Sequence, residues 1–143
     1  MNRREVTAVL AGASAKDVTA IADKIKERCE IRILKQPQKT LVMVKVRESV
    51  KKSLFYLGEV LATECMVTVN GVKGASVLAG DDFQKCISAA VIDGFLNDQT
   101  QDHQEILNGI QALDARQKKE REQMNRQLRK SKVNFNVVVS NEL

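Results

Sequence analysis

The sequence predicts an α+β fold in which helices flank an antiparallel β-meander. Near the start of the chain, apolar residues recur at steps of three and four, which is the period of a helix. In the middle, short runs of alternating apolar and polar residues are separated by turn residues, as in antiparallel strands. The helical period returns after the corner formed by Gly80, Asp81 and Asp82. A sheet therefore precedes this corner and helices follow it.

Two helices are predicted before the sheet. The first spans residues 2–11 and ends at Gly12. Ser14 is expected to cap the second, because its hydroxyl can accept a hydrogen bond from a backbone N–H of the first turn. The apolar face of this second helix consists of Val18, Ile21, Ala22, Ile25 and Cys29. We expect the N-terminal helices to pack on the sheet through such faces.

The predicted meander has about five strands. They span residues 31–34, 41–47, 54–57, 61–70 and 74–79. Turns are expected around Pro37, at Lys51-Lys52, at Gly58 and at Asn70-Gly71. The last of these favours a type I′ hairpin, in which both central residues need a positive φ. In the second strand, valines should face the core and charged residues the solvent.

The C-terminal half is predicted to be helical, with one strand at its end. One helix runs from Asp81 to about Asn97, and a longer one begins near His103. Residues 114–132 continue this helix as a basic, partly solvated segment. Apolar residues alternate over 133–139, and this alternation predicts a terminal strand. The buried stripe of the longer helix consists of Ile106, Leu107, Ile110 and Leu113. The whole chain, 1–143, is expected to form one domain.

The positive charge of the chain is concentrated in one segment. Residues 114–132 hold eight Lys or Arg and three Asp or Glu, whereas the other residues hold fifteen of each sign. This favours a solvated helix face, with a surface for an acidic partner, a phosphate-bearing ligand or nucleic acid as the alternative. The aromatic content of 3% argues against base stacking. The number of cysteines is odd and they form no CxxC pair, which indicates the reducing cytoplasm. The sequence has no long apolar run, so no membrane-spanning segment is expected.

Residues suited to catalysis are scarce. His103 is the one histidine and is expected at the surface. The cysteines are expected to be small core residues; they are Cys29, Cys65 and Cys86. Asp81 and Asp82 favour helix capping, with a Mg²⁺ site as the weaker alternative.

Four motifs, taken in order, resemble the PhnG family, the G subunit of the bacterial carbon–phosphorus lyase core complex. They are GEVLATEC at 58–65, VLAGDD at 77–82, AAVID at 89–93 and SKVNFNVVV at 131–139. The resemblance covers nearly the whole chain. It implies an accessory subunit of a hetero-oligomer, with the nucleosidase-like I subunit as the chief partner. Such a complex catalyses displacement of adenine from ATP by a phosphonate, giving a ribose 1-phosphonate 5-triphosphate.

The resemblance further implies that this chain binds no cofactor of its own. ATP with Mg²⁺ is a substrate of the complex, and the iron–sulfur cluster belongs to another subunit. From the residues, we expect the partner contact on the terminal strand and the helix before it. Its candidate residues are Val133, Phe135, Val137, Val139, Arg116, Lys119 and Arg126. Two alternatives are a basic helix that binds the phosphates of ATP at a shared interface, and a small basic nucleic-acid-binding module.

Overall fold

Four helices and a three-stranded antiparallel sheet make up the part of the chain that the computed structural model describes, residues 1–47 and 54–142. The α+β class is therefore confirmed. The predicted turn at Lys51-Lys52 lies outside the described residues. In chain order the elements are α1 (Arg3–Gly12), α2 (Ala15–Lys26), β1 (Ile31–Arg47), β2 (Leu54–Val69), β3 (Val72–Ala79), α3 (Phe83–Asn97) and α4 (Gln104–Glu142).

The prediction of five strands was wrong, because two of the expected turns are absorbed into longer strands. β1 continues past Pro37 with a shift of register between Lys35 and Gln38. A proline is tolerated there because β1 is an edge strand and a bulge removes the need for its missing N–H. Gly58 likewise lies inside β2, opposite Val44. The order of the sheet is β1-β2-β3.

The hairpin predicted at Asn70-Gly71 is confirmed. Asn70 has a φ of 48° and Gly71 a φ of 85°, which are the positive values that the turn requires. The Asn70 side-chain oxygen also accepts a hydrogen bond of 2.8 Å from the backbone N–H of Glu30. The turn between β2 and β3 is thereby joined to the start of β1.

The core lies on one side of the sheet, where α3 packs against β2 and β3. α2 packs chiefly on α3, and α4 contacts α1 and α2, so α2 and α4 form a further layer instead of lying directly on the sheet as expected, whereas α1 contacts β3 as well as α3. α3 covers β2 and β3, and its small residue Gly94 allows a close approach to Gly74 of β3. Fully buried side chains of this core include those of Val18, Ile25, Val67, Phe95 and Ile110.

The terminal strand predicted over 133–139 is also corrected by the structure, which places these residues inside α4. No glycine or proline follows Gly109 in the sequence, so no residue is present that would stop the helix. At 1.5 Å per residue, the 39 residues of α4 span about 58 Å. Of the described residues, no helix combines the length and the apolar character that crossing a membrane requires.

Candidate partner-binding surface

The Gly-Asp-Asp corner joins the sheet to α3, and its second aspartate caps the helix. Gly80 has a φ of 95°, which its missing side chain permits. One carboxylate oxygen of Asp82 accepts a hydrogen bond of 3.0 Å from the backbone N–H of Lys85. Asp81 is exposed beside it. The capping interpretation is confirmed for Asp82.

Replacing Asp82 with Ala is expected to lower the free energy of unfolding by about 1 kcal/mol, because one N–H of the first turn loses its acceptor. Asp82→Asn should lose less than half of that, since asparagine is an equally good cap. The control, Asp81→Ala, should lie within about 0.5 kcal/mol of the native chain. Urea denaturation followed by circular dichroism measures all three. Equal losses for Asp81→Ala and Asp82→Ala would contradict the assignment of the cap.

The Mg²⁺ alternative for Asp81 and Asp82 stays a prediction. Within the described ranges, no three His, Cys, Asp or Glu side chains lie close enough together to hold a metal ion. Carboxylates from another chain, or the phosphates of a substrate, would have to supply the further ligands.

Two of the three thiols are core groups, as predicted. Cys65 and Cys86 are buried, and Cys29 is half-buried. The Cys86 thiol lies 3.3 Å from the carbonyl oxygen of Thr63, to which it donates. Burial raises the pKa of Cys65 to about 11 and also raises the pKa of Cys86. Because the thiolate is the nucleophile, these two cysteines are poor candidates for covalent catalysis.

His103 connects α3 to α4 and is half-buried rather than at the surface. Its Nε2 lies 2.7 Å from the carbonyl oxygen of Asp98 and donates to it, because a carbonyl oxygen only accepts. The imidazole ring also packs against Phe95, with 5.5 Å between the ring centroids. Both contacts are structural, and they hold the start of α4 against the end of α3.

The basic segment of α4 divides into a docked part and an exposed part. Arg116 forms an ion pair with Asp17 of α2, and the Gln117 amide donates a hydrogen bond of 2.9 Å to the carbonyl oxygen of Val9. From 118 to 131 every side chain is exposed. Lys119 and Arg126 therefore lie on the free surface, whereas Arg116 is engaged within the chain.

An apolar stripe continues along this exposed part of α4. Met124 and Leu128 are 62% and 61% exposed, and they follow the buried Leu113 at helical spacing. Because the stripe is buried in the first half of α4 and exposed in the second half, the second half extends beyond the hydrophobic core of the chain. The exposed half of α4 thus combines basic and apolar groups that a protein partner could cover.

A second exposed apolar surface lies on the sheet and was missed by the sequence reasoning. The pairing of β3 with β2 runs from Val72 opposite Val69 to Ala79 opposite Ala62. Beyond it, residues 41–47 and 54–61 form a two-stranded ribbon, here called the hairpin arm. Its exposed apolar side chains are those of Leu41, Val42, Met43, Leu54, Tyr56, Leu57, Val60 and Leu61. The unbroken apolar run 41–44 was the available signal, since it places apolar residues on both faces of a strand.

Comparison with known proteins identifies the family. A family model described as phosphonate metabolism protein PhnG matches residues 1–140 of the 143-residue chain. The matched range includes the hairpin arm, the Gly-Asp-Asp corner and nearly all of α4. A search of curated proteins gave no match. The chain belongs to the PhnG family of phosphonate metabolism proteins.

Proposed function

We propose that the chain is an accessory subunit of the carbon–phosphorus lyase core complex. In this role it supports the displacement of adenine from ATP by a phosphonate, which gives a ribose 1-phosphonate 5-triphosphate. The observation that carries the proposal is the match to the PhnG family over residues 1–140. This membership does not favour a nucleic-acid-binding module.

The contacts of the chemically active side chains support an accessory rather than a self-sufficient role. Asp82 caps α3, and His103 is held between a backbone carbonyl and Phe95. Cys65 and Cys86 are buried as neutral thiols. Each of these groups already has a structural task within the chain. The reacting groups are therefore assigned to other subunits.

The proposed hetero-oligomer contains the nucleosidase-like I subunit as the chief partner. ATP with Mg²⁺ is the substrate of the whole complex, and the iron–sulfur cluster is carried by a different subunit. We assign one contact to the exposed half of α4, which carries the basic Lys119 and Arg126 on one face and the apolar Met124 and Leu128 on the opposite face. The proposal retains the following segment with Val133, Phe135, Val137 and Val139, now as a helix instead of a strand.

Removing residues 123–143 is expected to weaken assembly while leaving the fold intact. The truncation keeps the buried Ile106, Ile110 and Leu113 and also the contacts of Arg116 and Gln117. Co-expression with the other core subunits, followed by affinity purification through a tag on one of them, measures assembly. Recovery of the truncated chain should fall about tenfold, because a few residues carry most of the binding energy of an interface.

Two controls accompany the truncation. Thermal unfolding of the truncated chain should be cooperative and close to that of the native chain. The double variants Lys119→Glu/Arg126→Glu and Lys16→Glu/Lys26→Glu make the same charge change on exposed positions, and only the first pair lies on α4. Recovery of the chain with the other core subunits should fall for Lys119→Glu/Arg126→Glu and stay unchanged for Lys16→Glu/Lys26→Glu. Full recovery of the truncated chain would contradict the contact on α4.

A further inference from the structure

We infer that the hairpin arm inserts into an apolar cleft, bordered by acidic side chains, on another subunit of the phosphonate complex. The inference rests on the proposed function, since it takes the partner from that complex. It assigns to the arm a docking role that is separate from the contact on α4.

The arm extends beyond the elements that would stabilise it. β3 ends its pairing at Ala79, opposite Ala62, and the core helix α3 covers β2 and β3 rather than the arm. A two-stranded ribbon without a third strand or a helix is at best marginally stable in water. An ordered ribbon of this length is therefore expected to gain its stability from a contact outside the chain.

Both faces of the arm are apolar, so we expect its binding site on the partner to be a cleft rather than a flat surface. Leu41 pairs with Leu61, and the two side chains are 63% and 43% exposed. The next pair, Val42 with Val60, is 38% and 40% exposed. Paired residues share a face and successive residues alternate, so the leucines and the valines point to opposite sides. A partner that covers both pairs has to enclose the arm.

The charge of the arm favours an acidic partner over a second copy of this chain. The described residues of the arm contain Lys45, Arg47 and Glu59, a net charge of +1, so like charges would meet if two arms packed together. Edge-to-edge pairing of two β1 strands would also leave both apolar faces uncovered. The shift of register between Val44 and Lys45 and the lysine itself further disfavour such pairing, because bulges and lysines protect sheet edges.

The test combines one variant on each face with a matched control. Leu41→Ser and Val42→Ser remove apolar contacts from opposite faces, and Val77→Ser changes a 50% exposed residue on β3, outside the arm. The tagged chains are co-expressed with the other core subunits and purified. We expect each arm variant to lower recovery of the complex about tenfold, with the control unchanged. Lys45→Glu should also lower recovery, by reversing a charge that faces the acidic border.

The outcomes separate this inference from the proposed function. If the native chain enters the complex and both arm variants enter it equally well, the docking role of the arm is overturned and the proposed function is unaffected. If only one face is sensitive, the enclosing cleft is overturned. If the native chain alone sediments as a dimer that Leu41→Ser dissociates, the occupant is a second copy and the inference fails. If the native chain does not enter the complex, both proposals fail. Thermal unfolding of each free variant verifies that the substitutions leave the fold unchanged.

Discussion

Replacing Gly74 with Ala is expected to remove about 3 kcal/mol or more from the free energy of unfolding, a large share of the total for a domain of this size. A Cβ at this position would lie 2.2 Å from the carbonyl oxygen of Ala90 and 2.3 Å from the backbone N of Gly94. Both are backbone atoms of α3, so neither can rotate away. The substitution therefore forces α3 off the sheet instead of causing a local side-chain adjustment.

Urea denaturation of the purified chain measures the effect, with Gly58→Ala as the matched control. A Cβ on Gly58 has no neighbour within 4 Å among the described atoms. Because glycine is the less favourable residue in a strand, Gly58→Ala should be neutral or stabilising by a few tenths to about 1 kcal/mol. A loss below about 1 kcal/mol for Gly74→Ala would contradict the close packing of α3 on β3.

Replacing Asp93 with Ala is the second change for which a large effect is expected, about 2–4 kcal/mol of destabilisation. The carboxylate accepts a hydrogen bond of 2.9 Å from the backbone N–H of Ala75 in β3. It also accepts two bonds of 2.8 Å from the guanidinium of Arg3 in α1. Its side chain is only 12% exposed. Loss of this one group leaves a backbone donor of β3 without its acceptor and removes the ion pair between α1 and α3.

The control for Asp93→Ala is Arg3→Ala, which removes the ion pair and keeps the bond to Ala75. Asp93 raises the pKa of Arg3 through their hydrogen bonds, but the arginine side chain is 66% exposed. Its loss should therefore cost no more than about 1 kcal/mol. Thermal unfolding of both variants under the same conditions compares them. Equal losses would show that the ion pair, and not the bond to the edge of β3, carries the effect.

The helix starts were predictable because each depends on a signal within one turn of the chain. The Ser14 hydroxyl accepts from the backbone N–H of Asp17, as the capping pattern predicted. Asp82 does the same for α3. The number of strands was not predictable in this way, since Pro37 and Gly58 are typical of turns but lie inside β1 and β2. Only the pairing of the whole strand decides between a turn and a bulge.

The candidate surfaces were predicted in part. The exposure of Lys119 and Arg126 followed from the thinning of the apolar stripe. The ion pair of Arg116 could not be predicted, because its partner Asp17 is 99 residues away in the sequence. The hairpin arm was missed for a related reason. Alternation shows which residues share a face of a strand, but it does not show where the covering helix ends.

The close approach of Gly74 to α3 was also hidden from the sequence. A glycine in a strand indicates a bulge, a bend or a close backbone contact without distinguishing them. The two backbones meet because Gly94 supplies the matching small position on the helix, and its own Cβ would lie 2.8 Å from a methyl group of Val69. Neither glycine stands out in a search for catalytic residues, yet together they fix how α3 lies on the sheet.

The proposal that this chain takes part in adenine displacement by the phosphonate complex is tested most directly by reconstitution without the chain. The other core subunits are incubated with ATP, Mg²⁺ and a simple alkylphosphonate, and released adenine is measured by chromatography. We expect phosphonate-dependent adenine release to fall to background when the chain is omitted and to return when the native chain is added. Adenine release at the same rate with and without the chain would contradict the claim.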